Sequence, residues 1–179
     1  MKILSIHEIL PWMLDLDLNE YDVITFDDGL YSQYLHHKHF LKFNKPLIFF
    51  ISTNIVCMSE QNTDIIDCEQ AHELFFTKQD TSYYMTWEQI KELNNQTNCF
   101  IGGHSHNHNK YTNYNIRDLY FELKQDTELM IETFFKNEIN INKFCFPYNK
   151  EYPLYKHILK DYGIEQFYSN ERINIEELK

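Results

Sequence analysis

At 179 residues, 43% hydrophobic, 24% charged and 16% aromatic, the chain has the make-up of a folded domain, which excludes a disordered or fibrous protein. Its 27 acidic against 16 basic residues leave a net charge of −11, and arginine occurs only at Arg117 and Arg172, so a surface built to track nucleic-acid phosphates is excluded. Four scattered cysteines with no Cys-x-x-Cys pair argue against a disulfide framework or a thiolate zinc knuckle, and the apolar runs fall short of the ~18 residues a membrane span needs.

The first residues, MKILSIHEILPWML, are apolar in patches broken by His7 and Glu8, with no small-residue cleavage site after them. A cytoplasmic protein without a secretion signal is the expectation. DVITF then reads as a buried strand running into Asp27-Asp28-Gly29. The segment SQYLHHKHFLKF reads as a helix whose His36, His37 and His39 make a solvated, mildly basic face. PLIFFIS is a second strand, ending at Thr53-Asn54. From Cys57 to Tyr84 the pattern is irregular, with one helical piece around Asp67 to Phe76, and this stretch is read as a covering insertion. Thr86 and Gln89 have the spacing of a capping box for a helix to Asn95. NCFI is a third strand, before Gly102-Gly103, and a long helix from Asn115 to Lys136 carries the stripe Ile116, Leu119, Leu123, Met130 and Phe134. KFCF precedes Pro147-Tyr148-Asn149 as a fourth strand, YPLYKHILKDYG reads as a helix with His157 on its surface, and IEQFYS is a weaker fifth strand after Gly163.

Strands alternating with amphipathic helices predict an α/β fold with parallel strands, one domain over 1–179, and a site at the carboxyl ends of the strands. Two of those ends are rich in chemistry. Asp27 and Asp28 are adjacent carboxylates that point different ways, so one can bind a metal while its neighbour accepts a proton; a solvated Asp-Asp-Gly turn is the plain alternative. Gly102-Gly103-His104-Ser105-His106-Asn107-His108 carries three imidazoles in five positions, more than a polar surface loop needs. One carboxylate and two imidazoles leave open positions on an ion, the arrangement of hydrolytic zinc sites.

TFDDG at Thr25 to Gly29 followed by HSHNH at His104 to His108 resembles the polysaccharide deacetylases, the NodB-homology group of carbohydrate esterase family four, over roughly Tyr21 to Ser169. PLIFFIST and MTWEQIKELNNQTNCFIGGHSHNH are similar to the family's connecting run, and FCFPYN to its third motif. The resemblance implies a distorted, incomplete (β/α) barrel. It implies Asp27 as general base, and Asp28, His104 and His108 as ligands of a divalent metal, most often Zn2+, with Co2+ or Ni2+ as alternatives. It also implies Ser105 as a brace of the histidine loop, His106 as no ligand, and Pro147 and Tyr148 as one wall of the substrate groove, with the Tyr148 N–H aiding an oxyanion. The implied reaction is hydrolysis of an N-acetyl group on a sugar or glycan, a nucleotide-linked or lipid-linked intermediate if the protein is cytoplasmic.

Two departures stand out. Cys145 occupies the place of the third motif's arginine, so Arg172 or Lys143 partners Asp27 or the base has a different pKa. The C-terminal SNERINIEELK lacks the family's acid histidine, leaving His106, a protonated Asp27 or a group from a second subunit to donate the proton. A non-catalytic, metal-stabilised carbohydrate-binding or assembly protein is the alternative reading.

Overall fold

In the computed structural model, which describes residues 1–112 and 114–178, the alternation of strand and helix becomes a seven-stranded sheet, parallel throughout. The strands are β1 (Ile3–Ile6), β2 (Val23–Phe26), β3 (Leu47–Ile51), β4 (Cys99–Gly103), β5 (Lys143–Cys145), β6 (Gln166–Tyr168) and β7 (Ile173–Asn174). Their spatial order is β6-β5-β4-β3-β2-β1-β7, and the sheet curls into a half-barrel with helices around it, the incomplete (β/α) barrel expected. The helices are α1 (Tyr31–Leu41), α2 (Cys68–Lys78), α3 (Trp87–Asn94), α4 (Ile116–Lys136) and α5 (Pro153–Asp161). The four strong strand signals correspond to β2 through β5 and the weak one to β6. β1 and β7 went unforeseen: β7 is two residues long, and ILSI of β1 runs on into His7-Glu8-Ile9 without the turn-forming cluster that bounds β2 through β5.

The two faces of the sheet are sorted by the period of two along each strand. Ile24, Phe26, Leu47, Phe49 and Ile51 join the main core with Phe40, Ile90, Leu93, Met130 and Phe134 from the helices. Phe26 stacks on Phe49 at 4.7 Å and meets Phe40 edge-on at 5.2 Å. Burying each such side chain contributes about 1.5–3 kcal/mol. The alternate residues Ile3, Val23, Ile48, Phe50, Cys145 and Tyr168 form a smaller cluster on the other, concave face. Asp27 continues the Val23, Thr25 alternation toward that face.

Side-chain caps start three helices where the sequence places them. Asp67 accepts from the Gln70 N–H at 2.8 Å to open α2, and Asn115 accepts from the Arg117 and Asp118 N–H groups at 3.1 and 3.0 Å to open α4. Thr86 and Gln89 form the expected reciprocal box at α3. α1 departs from its expected solvated histidine face. His37 is buried, its Nε2 paired with the Gln96 side chain at 3.0 Å where α1 packs against α3, and His36 and His39 are half-buried. Among the described residues no helix is long and apolar enough to cross a membrane.

Candidate active site and metal centre

Parallel register brings the chemistry to one end of the sheet. Ile6 pairs with Phe26, so the residues just past β1 and β2 stand level, and the Asp27 N–H donates to the Ile6 carbonyl at 2.9 Å. Gln33, on α1, donates its side-chain amide to the carbonyls of both His7 and Asp27 and clamps the two strand ends. Asp27 is only 2% exposed, a costly place for a carboxylate. Arg172 offsets that cost: Nη1 donates to Oδ1 and Nη2 to Oδ2, both at 2.7 Å, a bidentate pair. The guanidinium is itself fixed by Thr25 Oγ1 at 3.1 Å, Asn149 Oδ1 at 2.8 Å and the Ser169 carbonyl at 3.2 Å. Burial pushes the Asp27 pKa up, but the charge and hydrogen bonds of Arg172 prevail and lower it, so the carboxylate is ionised. Arg172 therefore takes the place left by Cys145, whose Sγ is 3.6 Å from Asp27 Oδ2. Lys143 turns away, donating to Asn142 Oδ1 at 3.0 Å.

Asp28 and Gly29 follow with φ of 73° and 83°, a left-handed pair that turns the chain out of β2 and into α1. Gly29 also leaves room for the close Ile51 side chain, 3.1 Å from where a Cβ would stand. The turn aims Asp28 at the histidine loop, with Oδ1 3.0 Å from His108 Nε2 and 3.2 Å from His104 Nε2. His104 is oriented by Nδ1–H donating to the Cys145 carbonyl at 2.8 Å, which points Nε2 at Asp28. Burial lowers the ring's pKa, but the hydrogen bond and charge of Asp28 prevail and raise it. Ser105, with φ of 71°, accepts the His108 N–H on its Oγ at 2.9 Å, and Ser52 donates to the His104 carbonyl at 2.7 Å. Gly102 lets β4 lie against the Phe50 ring, 2.6 Å from where its Cβ would be.

These three side chains, each 3% exposed or less, present ligand atoms within 4.8 Å of one another. Asp28 Oδ1 is buried without a hydrogen-bond donor among the described residues, so lone pairs converge on one point. A divalent cation there satisfies all three at once, and the donor set of one carboxylate and two imidazoles suits zinc and its neighbours.

The polysaccharide deacetylase family model matches residues 20–167. The chain belongs to that family. Its fold is similar to IcaB from Ammonifex degensii, at 18% identity and TM-score 0.69, covering 97% of this chain and 84% of that one. It is similar also to the BpsB deacetylase domain from Bordetella bronchiseptica, at 14% identity and TM-score 0.66, covering 95% and 88%. A pseudoenzyme of carbohydrate esterase family four from Bacillus anthracis shares the fold at 12% identity and TM-score 0.50, covering 94% of this chain and 43% of that one. No curated protein matches the chain.

Against the family pattern, the structure adds groups the motifs do not contain. Asp27, Asp28, His104 and His108 open onto a cavity of about 830 Å³ that His7, His72 and Tyr148 also line. Tyr148, with φ of 57°, sets its ring 4.7 Å from that of His108 and donates its hydroxyl to the His108 carbonyl at 3.2 Å. Pro147 is buried behind it and borders a separate small recess with Tyr111, Tyr152 and Tyr155. His106 is outside the cavity, its Nδ1 paired with Thr53 Oγ1 at 2.7 Å. The backbone N–H groups of His106 and Asn107 are held at 2.8 and 3.0 Å by Asp126, a buried carboxylate on α4 that no motif marks.

His7 is the cavity imidazole beside Asp27 that sequence reasoning missed. Its Nε2 is 3.8 Å from Asp27 Oδ2, with a side chain one-third exposed to the cavity. Its signal was available, since His7 is the first residue beyond a strand end, but the four-residue strand itself was not recognised. The Cys57 to Tyr84 stretch is likewise more than a cover. α2 brings Cys68 Sγ to 3.1 Å from Asp28 Oδ2 and His72 Nε2 to 3.7 Å from Asp28 Oδ1. Burial pushes the His72 pKa down to about 4 against the pull of Asp28, so its ring is neutral at physiological pH.

Proposed function

We propose that this chain is a metal-dependent deacetylase that hydrolyses the N-acetyl group of an N-acetylated glycan, releasing acetate and leaving a free amine. The observation that carries this reading is the division of labour between neighbours: Asp27 is ionised and locked by Arg172, while Asp28 faces two imidazoles. Asp28, His104 and His108 would hold the metal, which when bound polarises an acyl oxygen and acidifies water. The bidentate pair uses one lone-pair direction on each Asp27 oxygen, and Cys145 Sγ reaches Oδ2 at 3.6 Å, which leaves a direction on Oδ1 to accept a proton from water. The tetrahedral nitrogen that results must be protonated before it departs. His7, level with Asp27 and open to the cavity, is the imidazole placed to give that proton, which removes the need for His106 or a second subunit. Tyr148 forms the wall against which a sugar ring packs.

The cavity wall narrows the substrate. It contains Glu8, Asp67, Glu69, Glu73 and Glu176, and among the described residues Lys110 is its single lysine or arginine. Such a field repels a diphosphate and accepts a neutral or amine-bearing glycan, so an oligosaccharide is favoured over a nucleotide-linked sugar. The test is acetate release from N-acetylated oligosaccharides and nucleotide sugars by protein loaded with zinc, cobalt or nickel. Release from the oligosaccharides, lost in Asp27→Asn with metal retained, supports the reading. In His7→Gln turnover is expected to fall about 10²- to 10⁴-fold. No release by metal-loaded protein overturns it in favour of a carbohydrate-binding protein.

A further inference from the structure

The residues of α2 that face Asp28 form a second set of metal-ligand atoms. Cys68 and His72 are four apart on one helix, hence on one face. Cys68 Sγ donates to Asp28 Oδ2 at 3.1 Å, His72 Nε2 is 3.7 Å from Asp28 Oδ1, and Cys68 Sγ is 3.6 Å from His72 Nδ1. Ligand atoms of Asp28, Cys68 and His72 all lie within 4.8 Å of one another, a group separate from Asp28, His104 and His108 but sharing Asp28. One sulfur, one carboxylate oxygen and one of the two ring nitrogens, mutually within 4.8 Å, are close enough to reach a shared ion. His72 Nε2 is buried and has no hydrogen-bond partner among the described residues, an orphan that costs stability unless something binds it.

We infer that Asp28 bridges two metal positions, one completed by His104 and His108 and the other by Cys68 and His72, so that the centre includes a thiolate. A carboxylate has two oxygens with lone pairs to spare. Here Cys68 Sγ meets Oδ2, while His104, His108 and, at 3.7 Å, His72 face Oδ1. Loading the second position replaces the S–H bond by a sulfur–metal bond and releases the proton to solvent. The set of one sulfur, one nitrogen and one oxygen is softer than the first and suits zinc or cobalt over magnesium or calcium. The backbone supports the placement: the Cys68 N–H donates to the buried Glu8 carboxylate at 3.3 Å, which ties the start of α2 to the loop after β1.

The inference rests on the reading of Asp28, His104 and His108 as metal ligands, and cobalt titration of the full chain separates the two. The wild type is expected to bind two equivalents of Co2+, with the near-ultraviolet sulfur-to-cobalt charge-transfer band rising with one of them. Cys68→Ser is expected to lose the band and one equivalent while keeping the other. His72→Gln, which leaves the thiol in place, is expected to weaken that equivalent by more than the roughly 10–100-fold that loss of an outer partner costs. Cys145→Ser, removing the other thiol near the site, is expected to keep the band. One equivalent without the band overturns the second position and leaves the first intact. One equivalent with a band abolished by Cys68→Ser overturns the bridge, because both halves then share an ion. A band that survives Cys68→Ser, or no cobalt bound at all, overturns it outright.

Discussion

The two walls of the cavity are built on different principles. The strand-end wall, with Asp27, Asp28, His104 and His108, grows from β2 and β4 inside the sheet; Arg172 orients Asp27, the Cys145 carbonyl orients His104, and Ser105 holds the His108 backbone. The opposite wall is α2, which stands on a satellite cluster of Leu30, Ile55, Ala71, Phe75 and Tyr84. The segment that carries it is clipped to the motif turn by backbone hydrogen bonds, Tyr31 N–H to Tyr83 and Met85 N–H to Gly29, both at 2.8 Å. The difference teaches that the sheet fixes the chemistry, whereas a separately supported helix can vary what surrounds it without disturbing the base or the ligands. Local stability follows buried apolar contacts, so the helix wall should open first.

The largest expected effect lies on the strand-end wall. His104→Ala should abolish binding at the first metal position, whereas a change on α2 should leave that equivalent in place. Metal analysis showing unchanged content in His104→Ala would erase the contrast. Next comes Arg172→Ala, which leaves Asp27 buried and unpaired at a cost of about 3–5 kcal/mol, read from urea unfolding. The pH sign follows from the lowered Asp27 pKa. The pair's stabilisation is present above the ordinary carboxylate pKa and is lost as pH falls through the folded value. Without Arg172 burial prevails, so the acid limb of any activity should move to higher pH.

Asp126→Asn should cost less, about 1.5–3 kcal/mol, because charge-assisted hydrogen bonds to the His106 and Asn107 N–H groups are weakened. Loss of metal affinity along with stability would mark Asp126 as the anchor of the histidine loop. The smallest effect belongs to the helix wall: Asp67→Ala removes the α2 cap and should cost about 1 kcal/mol. Hydrogen exchange should quicken at the start of α2 alone. Equal quickening across β2 and β4 would show that the two walls are one cooperative unit.

Much of the fold was readable because its signals are local. Four strand runs, the Thr86–Gln89 box and the apolar stripe of α4 each lie within a window short enough for period and capping to show. β7 is too short to show a period, and β1 lacks the turn-forming cluster that bounds the strands that were read. The motif pairs TFDDG and HSHNH announced the ligand kit, but nothing near Arg172 marks it as the partner of a carboxylate 145 residues away. His37 looked exposed because helical spacing says which residues share a face and nothing about what covers that face.

By itself the sequence determined the alternation of strand and helix, the helix starts, and the residue types able to hold a metal and move a proton. These depend on neighbours along the chain. Tertiary structure alone decided that Arg172 stands in for the missing arginine, that His7 meets Asp27, and that Cys68 and His72 face Asp28. Each of those meetings joins distant segments, and strand order and sheet curvature, which no local pattern encodes, determine which of them come within reach.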